Sequence, residues 1–209
     1  MRKIKLKICG MREAQNIAEV AEQQPDYMGF IFYEKSPRYV GQNFSPGQLP
    51  ASIKRVGVFV NERSPEIVNQ VRRHQLDYVQ LHGSETSQQC EQLRADNIKI
   101  IKVFSIDDDM SFEVTKPYQG VVDFFLFDTK GQYYGGNART FNWEVLTRYD
   151  QQTPFFLSGG LSASNIRGIS VLKGMNIHAL DVNSGVELSP ARKDINKIIE
   201  IQNILNHEL

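Results

Sequence analysis

Cysteine is scarce: the 209 residues hold two, Cys9 and Cys90. That excludes a disulfide framework and a four-cysteine zinc site. Net charge is missing as well. The 24 basic residues balance 24 acidic ones, which argues against a polybasic binder of nucleic acid or membrane. Apolar runs are short, and a stretch such as Met28 to Tyr33 falls far below the roughly 20 residues that span a bilayer. The start, Met1-Arg2-Lys3-Ile4-Lys5-Leu6-Lys7, alternates charge with apolar side chains and never becomes the apolar stretch of a secretory signal. Aromatic residues are scattered rather than interleaved with basic ones, so nucleic-acid recognition has no support. The four histidines, His74, His82, His178 and His207, show no metal-ligand spacing with one another or with carboxylates, and no metal is expected. No Gly-x-Ser-x-Gly elbow occurs. The expectation is a cytoplasmic globular protein with neither nucleic acid nor membrane as partner, a monomer or a homodimer.

What is present is a series of short apolar runs along the whole chain. Strands are expected at Ile4–Ile8, Met28–Phe32, Arg55–Val60, Tyr78–Leu81, Ile98–Phe104, Phe124–Phe127, Phe155–Leu157 and His178–Val182. Several are rich in β-branched and aromatic residues and end at Gly, Pro or polar clusters. Between them apolar residues recur at helical spacing, as in Ile17, Val20 and Ala21, or Ile195, Ile198 and Ile199. Ser64-Pro65-Glu66 resembles an N-cap, a first-turn proline and an early acid. Ser87 and Ser162-Ala163-Ser164 are similar starts, and a further helix is expected around Ile106 to Lys116.

Eight strands alternating with helices, about 26 residues per unit, suit a parallel sheet with helical crossovers. An open doubly wound sheet and a closed (β/α)8 barrel compete. The open sheet loses its main support because Cys9-Gly10-Met11-Arg12 stands where a Gly-x-Gly-x-x-Gly would follow the first strand. Eight units favour the α/β TIM barrel, as one catalytic domain over residues 1–209. The long polar stretch Glu34 to Gln48, with Pro37, Gly41, Pro46 and Gly47, directly follows a strand, and loops of that length are usually functional.

In such a barrel the site lies at the C-terminal ends of the strands. Those ends hold Cys9, Tyr33 with Arg38 beyond it, Asn61, His82, Ser105, Asp128, Ser158-Gly159-Gly160 and Asp181 to Gly185. Strand ends are polar in any protein because they meet solvent, so the set carries more than its members. Gly159 and Gly160 let backbone approach a ligand, and Asn183-Ser184-Gly185 makes a similar turn after strand eight. These two loops are where such barrels often hold a phosphate. In isolation Cys9 reads as a small buried hydrophobe; at a strand end facing a phosphate-binding mouth it reads as a reactive thiolate. Asp128 follows Phe124-Phe125-Leu126-Phe127, surroundings that would raise its pKa by desolvation and suit a proton-holding acid. Thiolate and carboxylic acid would form an acid–base pair. Arg38 reads equally as an exposed loop residue or as a bidentate clamp for a planar carboxylate. His82 is read as shaping the pocket, and Cys90 as helix packing.

These motifs resemble one family, phosphoribosylanthranilate isomerase of tryptophan biosynthesis. The matching pieces are Lys7-Ile8-Cys9-Gly10-Met11, Gly29-Phe30-Ile31-Phe32-Tyr33 with Ser36-Pro37-Arg38-Tyr39, and Val56-Gly57-Val58-Phe59-Val60-Asn61. They continue through Val79-Gln80-Leu81-His82-Gly83, Phe127-Asp128-Thr129, Leu157-Ser158-Gly159-Gly160-Leu161 and Asp181-Val182-Asn183-Ser184-Gly185-Val186-Glu187. The resemblance implies a (β/α)8 barrel and a cofactor-free Amadori rearrangement of a phosphosugar, N-(5-phosphoribosyl)anthranilate. It implies Asp128 as the acid, Cys9 as the base, and Arg38, His82 and Asp181 around the substrate. Its phosphate would lie at Gly159, Gly160, Asn183, Ser184 and Gly185. The chain departs from the family pattern at Gly135-Gly136-Asn137-Ala138, at Phe141-Asn142-Trp143, at Asn183 and at Pro190-Ala191. A histidine-pathway isomerase would carry an aspartate where Cys9 stands. A phosphosugar-binding barrel without catalysis would need neither Cys9 nor Asp128.

Overall fold

The computed structural model describes residues 4–129 and 142–208. Eight strands close into a barrel: β1 (Lys5–Ile8), β2 (Tyr27–Ile31), β3 (Lys54–Phe59), β4 (Tyr78–Leu81), β5 (Lys99–Ile106), β6 (Phe124–Thr129), β7 (Phe155–Leu157) and β8 (Ile177–Val182). Each pairs in parallel with the next, and β8 returns to β1 with Leu6 opposite Leu180 and Lys7 opposite Asp181. The expected boundaries hold to within one or two residues. Departures from the Asn137-Ala138 pattern, and Phe141, lie outside the described residues.

Strand alternation sorts side chains into two layers. Leu6, Ile8, Met28, Phe30, Leu81, Phe125 and Phe127 join the outer core beneath the helices, with Ile17, Val20, Ile67 and Ile198. Tyr27, Val56, Ile101, Leu126 and Phe156 fill the barrel itself. Its N-terminal end is closed by aromatic rings, Tyr27 against Tyr78 at 5.7 Å and Phe156 at 5.2 Å. The Tyr27 hydroxyl meets His178 Nε2 at 2.7 Å, and the His178 ring packs on Phe156 at 5.3 Å in the same layer.

One device recurs below the strands. Asp26, Asp77 and Asp123 each stand immediately before an even-numbered strand. Each carboxylate accepts the backbone N–H at the start of the preceding strand: Leu6 at 2.9 Å, Arg55 at 2.9 Å and Ile100 at 2.7 Å. These N–H groups would otherwise lack partners at the barrel rim.

The crossovers differ more from expectation. Among the described residues α-helices are α1 (Ala14–Glu22), α2 (Ser64–His74), α3 (Ser87–Ala95) and α4 (Ile195–His207). After β5 the strand itself continues to Ile106, and a 3-10 helix begins only at Phe112. Pro117 lies inside that segment beside the β-branched Val114 and Thr115, a composition that disfavours an α-helix. Further 3-10 segments follow β6 (Trp143–Arg148) and β7 (Ile166–Leu172). The path from β2 to β3 has no helix; Phe44 covers the strands there, packed on Phe30 at 5.1 Å and His74 at 5.5 Å. Two caps also move. Ser64 is the first helical residue of α2 after Arg63, with no side-chain cap. The cap of α3 is Thr86, whose hydroxyl accepts the Gln89 N–H at 3.3 Å.

Candidate active site

The C-terminal mouth of the barrel holds a cavity lined by Cys9, Gln80, His82, Asp128, Ser158, Asp181 and Asn183, with Ile31, Tyr33 and Val58 as its apolar wall. Strand register brings these together. Cys9 follows β1, and its N–H donates to the Val182 carbonyl at 2.9 Å. Asp128 is the penultimate residue of β6. The sulfur packs on Ile31 and Val58. Gly29 of β2 leaves the space it occupies, because a Cβ there would lie 2.6 Å from Sγ.

The cavity floor is a polar layer in which Asp181 joins two residues that the sequence did not announce, Lys7 and Gln80. The Lys7 ammonium, fully buried, donates to Gln80 Oε1 at 2.7 Å and to Asp181 Oδ2 at 2.8 Å. Burial works against its charge, but attraction to Asp181, the largest opposing influence, leaves its pKa above the usual value. Burial pushes the Cys9 thiol up, against the pull of Lys7 and Lys193. The thiolate expected from nearby helix N-termini is therefore not the resting form, since desolvation outweighs the neighbouring cations. Asp181 Oδ1 is buried and has no hydrogen-bond partner among the described residues.

On the opposite side Asp128 Oδ1 accepts the Thr129 N–H at 2.9 Å. Its Oδ2 lies 3.4 Å from His82 Nε2, and His82 Nδ1 lies 3.2 Å from Gln80 Nε2. His82 thus lines the cavity and touches the carboxyl group directly.

The two Gly-containing loops meet. Gly159 (φ +96°) and Gly160 (φ +63°) take conformations that side chains rarely adopt. A Cβ on Gly159 would run into the Thr129 hydroxyl, and one on Gly185 into the Leu161 carbonyl. Asn165 steadies the first loop, donating to the Gly160 carbonyl at 2.8 Å and accepting the Ser162 N–H at 2.9 Å. Ser184 opens a short 3-10 turn, Ser184–Val186. Asn183 is held from behind, its Oδ1 accepting from Lys193 Nζ at 2.7 Å.

Arg38 sits beside this loop, and its Nε and Nη2 grip Glu187 at 2.8 and 2.7 Å. Lys193 donates to the same carboxylate at 2.7 Å. Burial alone would raise the pKa of Glu187, but the two cations bring it below the usual range. Lys7, Gln80, Glu187 and Lys193 escaped the sequence reading. For Lys7 the signal was available: in a closed barrel the charged face of an alternating strand points inward, not to solvent.

Fold and site define a class: a (β/α)8-barrel enzyme with a thiol and a carboxyl group facing one mouth beside two glycine-bearing loops. The family model described as N-(5'phosphoribosyl)anthranilate (PRA) isomerase matches residues 6–203. The chain is 44% identical over 189 residues to the N-(5'-phosphoribosyl)anthranilate isomerase of Phocaeicola vulgatus, covering 90% of this chain and 91% of that one. It is 42% identical to that of Parabacteroides distasonis, covering 96% and 93%. Among solved structures, phosphoribosyl anthranilate isomerase from Thermotoga maritima superposes with a TM-score of 0.84 at 33% identity, covering 97% and 98%. A phosphoribosyl anthranilate isomerase in complex with reduced 1-(o-carboxyphenylamino)-1-deoxyribulose 5-phosphate gives 0.81 at 32%, with the same coverage. The chain belongs to the N-(5'-phosphoribosyl)anthranilate isomerase family.

Proposed function

We propose that the chain catalyses the Amadori rearrangement of N-(5-phosphoribosyl)anthranilate to 1-(2-carboxyphenylamino)-1-deoxyribulose 5-phosphate, with Asp128 as general acid and Cys9 as general base. The observation that carries this reading is that both groups line one cavity at the barrel mouth. The proton of Asp128 passes to the ribose ring oxygen, the C1–O bond breaks, and the anilino nitrogen supplies the electron pair that makes an iminium. The iminium acidifies the C2–H bond, and the Cys9 sulfur removes that proton to leave an enolamine. Protonation at C1 and loss of the C2 hydroxyl proton complete the ketone.

The sulfur reaches its basic form with help from charge. Its own proton leaves to solvent, and Lys7 and Lys193 already favour the thiolate. The iminium adds a further positive charge beside it at the moment a base is needed. The phosphate is held by the loops at Gly159–Gly160 and Asn183–Ser184–Gly185, which fixes C2 over Cys9. Asp181 Oδ1, the buried acceptor without a partner among the described residues, takes a sugar hydroxyl. Glu187 occupies the Nε–Nη2 edge of Arg38, so the substrate carboxylate meets the remaining Nη1–Nη2 edge.

The test is turnover of a fluorescent anthranilate substrate. Cys9→Ser and Asp128→Asn should each lower kcat by about two orders of magnitude or more, the loss typical of missing acid–base catalysis. Near-wild-type turnover in either variant removes that residue from its role.

A further inference from the structure

The polar layer of the cavity floor fixes a hydrogen position. An ammonium has only N–H donors, so the Gln80 atom 2.7 Å from Lys7 Nζ must be its carbonyl oxygen. That leaves the Gln80 amide NH2 facing His82 Nδ1 at 3.2 Å. An NH2 group also only donates, so Nδ1 must accept. In the neutral ring an accepting Nδ1 leaves the hydrogen on Nε2, the atom 3.4 Å from Asp128 Oδ2. Neither Gln80 nor Lys7 meets solvent that could substitute for these partners, since they are 1% and 0% exposed. Asp181 Oδ2 pins Lys7 from the other side at 2.8 Å, so the ammonium cannot turn away and a flipped amide would set NH2 against it, donor facing donor.

We propose that Gln80 and His82 are positioning residues: Gln80, locked by Lys7, holds His82 in the Nε2–H tautomer, and that N–H steadies the Asp128 carboxyl group as it releases its proton. The inference rests on Asp128 being the acid of the proposed reaction. The chain orients but does not conduct, because an amide in its middle has no proton to pass on under these conditions. The base and acid ends are thus coupled in geometry while their protons travel separately.

The first readout needs no catalysis. Long-range 15N–1H spectra of the free protein, with the His82 signal assigned by its loss in His82→Gln, should show the Nε2–H pattern. In Gln80→Glu the new carboxylate takes an N–H from Nδ1, and the pattern should change. An Nδ1–H tautomer in the wild-type protein, or one unchanged in Gln80→Glu, overturns the proposal.

Kinetics give the second readout. Gln80→Leu and His82→Leu should lose about 10- to 100-fold in kcat, the scale of a misplaced catalytic group, with KM within about threefold. His82→Gln, which can still present an amide N–H to Asp128, should recover at least about tenfold of the His82→Leu loss. Equal kcat for His82→Gln and His82→Leu overturns the positioning role. Failure of the underlying reading looks different: Asp128→Asn would turn over normally while the tautomer pattern stood.

Discussion

An ideal Cβ built on Gly29 would lie 2.6 Å from the Cys9 sulfur and 3.1 Å from its Cα. Alanine suits a strand backbone, so the conflict in Gly29→Ala is with Cys9, with its sulfur first and less severely with its Cα and Cβ. We expect the variant to keep its far-ultraviolet circular dichroism while kcat falls at least about tenfold, since sub-ångström misplacement of a reacting group is costly. Unchanged kcat would show that the sulfur is not poised at the reacting carbon. This pair also marks what one residue reveals in sequence. The placement of Cys9 and Asp128 at the mouth was legible because each stands at a strand end, and in a closed barrel those ends converge. Lys7 could be placed only by combining the alternation of Lys5, Leu6 and Lys7, which alone resembles the edge of a solvated sheet, with the closed barrel, and Gln80 carried no signal of its own. Only closure of the barrel turns that charged face inward. Arg38 reads equally as an exposed loop residue or a clamp for a ligand carboxylate; the carboxylate it holds in the structure is Glu187, 149 residues away, and no local pattern announces such a pair.

The hairpin after β8 shows the same limit for an element. Its strands, β9 (Glu187–Ser189) and β10 (Arg192–Lys193), turn through Ala191, which is fully buried at φ +68°. The family usually carries glycine there, and the conformation explains why. A left-handed backbone costs a side chain about 1–2 kcal/mol. Ala191→Gly should therefore stabilise the protein by about 1 kcal/mol after the extra unfolded-state entropy of glycine is subtracted. In a chain of this size that corresponds to a rise of about 2–4 °C in Tm by calorimetry. A lower Tm would mean that the buried methyl contributes more packing than the backbone loses. Most of the eight strands could be located from short apolar runs because their middles are buried on both faces, as in Tyr27–Ile31 and Phe155–Leu157. The crossovers could not be graded by periodicity alone. A 3-10 segment such as Ile166–Leu172 buries Ile166, Ile169 and Leu172 at spacing three, which one or two helical turns would share.

For the whole molecule, closure depends on a polar seam between the two ends of the chain. Lys7 meets Asp181, and Arg38 meets Glu187. Asn16 exchanges two hydrogen bonds with the backbone of Lys193, at 3.0 and 2.7 Å. Gln202 donates to the Gln23 carbonyl at 2.6 Å. Lys193 is the junction, bonded to Asn183 and Glu187 and placed beside Cys9. Burial lowers its pKa to about 8, against the support of Glu187. In the unfolded chain the same group keeps its proton to about 10.5. Between those values the unfolded state binds the extra proton, so the contribution of Lys193 to the unfolding free energy rises with pH there. Below pH 8 the group is charged in both states and contributes no slope. Cys90, pushed up to about 11 by burial, acts in the opposite sense above pH 9, but it does so in any Lys193 variant as well. The difference between wild type and Lys193→Met, from urea unfolding at pH 7, 8, 9 and 10, should therefore be flat to pH 8. Above that it should shift toward the wild type by up to about 1.4 kcal/mol per pH unit. Parallel curves from pH 7 to 10 would show that Lys193 keeps its proton, and that the seam holds a full charge rather than one on the edge of neutrality.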